Sequence, residues 1–111
     1  MTDRELLELA AKAAGYEWTG YFGDDEVECQ YFDIGLGEEV VPWNPLTDDG
    51  DALRLAVKLG LTTAQLITNR EVEVNDYDET VLISEFDGPD PYAATRRAIV
   101  RAAAEIGRNM P

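Results

Sequence analysis

Trp43 and Asn44 stand between Pro42 and Pro45, and aspartates follow at 48, 49 and 51. A proline biases the residue before it toward extended backbone, so this pair is held stiff and outside any helix. Tyr16, Trp18, Tyr21 and Tyr31 precede it in the chain. Two strands ending near the Trp43 loop would gather several of these rings around one cleft, and such rings stack on nucleobases. Arg96, Arg97 and Arg101, near the end of the chain, offer an anion site. Each group also has a plain structural role. Rings pack a small core, aspartates start a helix, and arginines balance the acids.

Much other chemistry is excluded. There is no histidine and only one cysteine, Cys29. Nucleophile systems built on histidine are therefore absent, as are four-ligand zinc sites. Gly35-Leu36-Gly37 is followed by no lysine and is not a phosphate loop. Two acid clusters remain, Asp48-Asp49-Gly50-Asp51 and Asn75-Asp76-Tyr77-Asp78-Glu79. Neither has the glycine and glutamate spacing of a Ca²⁺ loop. The expectation is a non-enzymatic protein with no catalytic residue, metal or cofactor.

The formal net charge is −14. Between Ala13 and Leu53 there are eleven acids and no base, while four of the nine bases fall in the last sixteen residues. Such a surface repels nucleic acid and anionic membranes. It suits solubility, a basic protein partner, or imitation of the DNA backbone. A lone cysteine fits a reducing compartment. The sequence opens with no signal peptide, and no apolar run reaches the roughly 18 residues that span a membrane. A cytoplasmic protein is expected.

The elements that must position these groups follow from periodicity. The 111 residues suit a single domain. A helix is predicted over 2–14, with Thr2 and Glu5 as a capping box, Leu6, Leu9, Ala10 and Ala13 inward, and Gly15 as its stop. Strands are predicted over 16–22 and 26–34. Thr47 or Asp48 caps a second helix to about Leu59, with Ala52, Leu55, Ala56 and Leu59 inward. Strands over 63–68, 71–75 and 80–86 follow. Asp90-Pro91 opens a last helix, with Tyr92, Thr95, Ile99, Ala102 and Ile106 inward. The order α-β-β-α-β-β(-β)-α predicts an α+β fold, a mainly antiparallel sheet layered with three helices.

Three stretches, 5–16, 43–59 and 94–107, resemble the phage ABA sandwich domain family of small bacteriophage and prophage proteins. That resemblance covers nearly the whole chain and implies a layered α/β/α sandwich, but no established biochemistry. Trp43-Asn44-Pro45 with Asp48 is also similar to a Trp-x-Pro segment of phage counter-defence sponges, which sequester nucleotide immune signals. That second likeness implies that Trp43 stacks on a base, Asn44 reads a polar edge, and Asp48 or Asp49 accepts from ribose. An arginine of the last helix, Arg97 or Arg101, would then face phosphate. Tyr16 and Trp18, from the aromatic cluster, complete the candidate ligand-binding residues. The function expected is a phage accessory or anti-defence protein that sequesters a nucleotide-like molecule in the bacterial host cell. The alternatives are an acidic inhibitor of a basic host protein and a structural or regulatory phage domain. A homo-oligomer is expected, without direct nucleic acid binding.

Overall fold

A computed structural model describes residues 2–21, 30–33, 41–76, 82–86 and 88–111, with the backbone alone for 17–21, 30–33, 41–42 and 82. The fold is α+β, with three helices and antiparallel strands. Helix α1 spans Asp3–Ala14 and begins with the expected capping box between Thr2 and Glu5. Helix α2 spans Asp49–Leu59, and its N-cap is Asp48 rather than Thr47. Gly15 and Gly60 end these helices at φ 78° and 66°, a left-handed backbone that other residues rarely adopt. Helix α3 spans Pro91–Arg108; the Asp90 side chain accepts from the Tyr92 and Ala93 backbone N–H groups.

The strands form two three-stranded sheets. β1 (Glu17–Tyr21), β2 (Gln30–Asp33) and β3 (Val41–Pro42) make the first, in that order. Pro42 pairs opposite Tyr31 on the edge strand, where a missing N–H costs least. β4 (Thr62–Leu66), β5 (Glu71–Asn75) and β6 (Leu82–Phe86) make the second. Its pairings run unbroken: Thr63 faces Val74, Gln65 faces Val72, and Val74 faces Ile83. The predicted strand over 63–68 is shorter, because residues 67–70 turn with Arg70 at φ 55°. Phe22, residues 26–29, Ile34 and residues 80–81, placed in strands from the sequence, lie outside the described residues.

Helix α3 is the centre of the molecule. It packs against α1, α2, β5 and β6. Ala98, Val100, Ala102 and Ala103 are fully buried, as are Val72 and Val74 beneath them. A helix buried on most of its circumference needs small residues, and alanines supply them. Two inward faces differ from expectation. In α1 the buried set is Leu6, Leu7, Ala10, Ala11 and Ala14, with Leu9 only packed at its border. In α3, Tyr92 points to solvent and is 71% exposed, because α2 leaves a gap beside the first turn of α3.

Candidate functional site

The Trp43 loop is riveted into the fold. Trp43 is only 3% exposed, and Tyr16 meets its ring edge-on at 5.4 Å between centroids. The Lys58 ammonium lies 4.7 Å from the Tyr16 ring centre on its face, a cation–π arrangement. Burial raises the Tyr16 pKa; nearby Arg54 opposes that shift and Asp51 adds to it.

The polar groups around Trp43 hold α2 in place. The Asn44 backbone N–H donates to Asp51 Oδ2 at 3.0 Å, and Asn44 Oδ1 accepts from the Leu46 N–H at 3.1 Å. The Asn44 carbonyl accepts from the Thr47 and Asp48 N–H groups. Asp48 Oδ2 accepts from the Asp51 N–H at 2.8 Å. Arg54 donates to Asp51 Oδ1 at 2.8 Å, and this bond raises the Arg54 pKa. Arg96 then joins the loop to α3: it donates to the Leu46 carbonyl at 2.9 Å and to Asp49 Oδ1 at 2.6 Å. Prolines and aspartates at this spacing thus set the start of α2 and its seat on α3.

Of the residues singled out from the sequence, Tyr16, Trp43, Asn44, Asp48 and Asp49 share this region. Trp18 lies in β1 opposite Phe32, but its side chain is outside the described residues. Arg97 and Arg101 lie elsewhere, in a cleft of about 410 Å³ with Leu6 and Ile83. Arg97 pairs with Asp3 at 3.1 Å and Arg101 with Glu85 at 2.5 Å. Two carboxylates, Glu85 and Glu105, share that cleft with the two guanidinium groups, so its charges balance.

A second, larger feature escaped the sequence reading. A cavity of about 830 Å³ opens between α2 and β4, with α3 as its floor. Ala52, Ala56 and Ile99 line its base, and Gln65 and Thr95 meet across it by a 3.1 Å hydrogen bond. Leu53, Val57, Ile67 and Tyr92 line it and are 64%, 73%, 85% and 71% exposed. Single exposed apolar side chains are ordinary; these four line one cavity. β4 is an edge strand, and no described strand pairs with its outer side. The signal was present in the sequence. Leu53 and Val57 are apolar yet lie off the inward stripe of α2, and residues 59–69 form the longest stretch of the chain without a charge.

Among the described residues, no group of three acids or cysteines could hold a metal ion, and no helix is long and apolar enough to cross a membrane. Comparison with protein-family models, curated proteins and solved structures found no match.

Proposed function

We propose that this chain is a non-enzymatic binding protein and that the trough between α2 and β4 is where it takes hold of a partner protein. One observation carries this reading: four large apolar side chains stand mostly in solvent around a single apolar cavity. Holding Leu53, Val57 and Ile67 there forfeits part of the roughly 1.5–3 kcal/mol that full burial of each would bring, and a bound partner recovers it. The volume lies within the range of small-molecule pockets. Among the described residues its only cationic side chain is Arg96, already engaged by Asp49, so a nucleotide's phosphates would find little here. Trp43, the expected base-stacking ring, is walled into the core.

The likeness of residues 5–16, 43–59 and 94–107 to the phage ABA sandwich family supports a phage setting. In that setting the protein acts in the bacterial cytoplasm as an accessory factor that binds and occupies a host protein. The net charge of −14 favours a basic partner by long-range attraction.

The test is affinity capture from bacterial lysate with two baits, the wild-type chain and a Leu53→Lys/Val57→Lys variant. Both positions are exposed, so the variant should keep the wild-type circular dichroism and melting temperature. A protein held by the wild type and lost with the variant is expected. Equal capture by both baits, or a large thermal shift with cyclic dinucleotides and none with protein, would overturn the reading.

A further inference from the structure

We propose that the trough is a slot for an added β-strand: an extended segment of the partner, apolar at alternate positions and flanked by lysine or arginine, pairs with the outer edge of β4. This rests on the reading of the trough as a protein-binding surface and specifies what enters it.

The backbone supplies the first reason. An edge strand presents a row of N–H and C=O groups, and natural proteins guard such edges with charge, proline, bulges or brevity. β3, at the edge of the other sheet, is two residues long and contains Pro42. β6, at the far edge of the second sheet, carries Glu85. β4 reads Thr62-Thr63-Ala64-Gln65-Leu66. It has no charge and no proline, and it pairs with β5 over all five residues without a bulge. An edge left unguarded in this way is suited to strand addition.

The walls supply the second reason. A new strand would lie about 4.8 Å from β4, with alternate side chains on each face. On the inner face, the Gln65 side chain bonds to Thr95 of α3. The next strand's inner side chains would lie beyond it, in the same cavity as Leu53 and Val57 of α2. These are two of the four exposed apolar groups around the trough that a partner would cover. A helix laid in the trough would cover them but leave the β4 edge unsatisfied; a strand does both.

Charge decides the occupant. Each copy of the chain carries −14, so a second copy approaches against repulsion, while a segment with basic ends is drawn in. The trough adds to this, since Glu71 lines one end. Between the ends the lining is almost uncharged, which fits apolar residues in the middle of the segment.

The experiment selects a displayed library of random dodecapeptides on the wild-type chain, with counter-selection on the Leu53→Lys/Val57→Lys variant. The expected winners place β-branched or aromatic residues two apart and carry Lys or Arg at their ends. In a synthesised winner, N-methylation of the amides that face β4 should weaken binding about tenfold, comparable to losing one or two hydrogen bonds. Methylation of the alternate amides should change it little. The β4 amides should also gain protection from hydrogen exchange. Winners with apolar residues three and four apart, indifferent to N-methylation, would overturn strand addition and leave the protein-binding reading standing. Absence of any peptide that depends on Leu53 and Val57 would remove both. A wild-type dimer in sedimentation that the variant abolishes would assign the edge to a second copy and overturn the foreign strand.

Discussion

Gly107 of α3 lies directly on the carbonyl of Leu9 in α1. A β-carbon at Gly107 would stand 2.9 Å from the Leu9 carbonyl carbon and closer still to its oxygen. The neighbouring alanines of both helices let the backbones meet this closely, and glycine completes the approach. Replacing a helical glycine with alanine ordinarily gains up to about 1 kcal/mol. Here overpacking should reverse the sign, so Gly107→Ala should lose roughly 1–3 kcal/mol. Urea unfolding decides it, and a gain in stability would show that α1 can slide away freely.

Trp43 is a core residue by its burial. Trp43→Ala should therefore cost about 3–5 kcal/mol, as large core truncations do, and Trp43→Phe much less. Thermal melts of both variants give the comparison. A Trp43→Ala protein as stable as the wild type would return the ring to the list of available binding groups.

Tyr16 titrates late because burial disfavours its phenolate. Its folded pKa lies above the unfolded value near 10.0, so the protonated form favours the fold. The stability tied to this group is complete below about pH 10 and falls as pH rises through the folded pKa. Absorbance near 295 nm should show one phenol ionising above that range, and Tyr16→Phe should remove that phase. Its persistence in the variant would assign the phase to another tyrosine.

Two aspartates at the start of α2 should differ sharply in worth. Asp51 is 14% exposed, and it accepts from the Asn44 N–H and from Arg54. Asp51→Ala should cost about 1–3 kcal/mol by stranding a half-buried donor. Asp49 is 74% exposed in its pair with Arg96, and Asp49→Ala should cost under about 1 kcal/mol. Equal losses in denaturant unfolding would contradict the rivet role given to Asp51.

The helices and their caps were legible because short-range chemistry sets them: Thr2 with Glu5, Asp48 with Asp51, and Asp90 with Pro91 all act within three residues. Strands β5 and β6 were visible for the same reason, through alternation, and β4 as a short segment between turn residues. The division into two sheets was not, since pairing across the chain leaves no local mark. Nor was the exposure of Tyr92, which depends on where α2 sits rather than on the period of α3. Trp43 and Asn44 drew attention by their unusual neighbours. Their contacts with Tyr16, Leu46 and Asp51 are long-range or turn-specific, so their structural employment emerged only in three dimensions. Arg97 and Arg101 were visible as charges, but their partners Asp3 and Glu85 lie far away in sequence.

The uncharged edge of β4 also gives the net charge a duty. Nothing on the strand itself opposes one molecule's templating on the next; what opposes it is the repulsion between molecules of charge −14. That repulsion reaches about 10 Å in 0.1 M salt and about 3 Å in 1 M. Concentrated salt therefore removes the colloidal guard while leaving the edge intact. In concentrated salt two copies should then begin to pair edge to edge, and sedimentation across a salt series would show it.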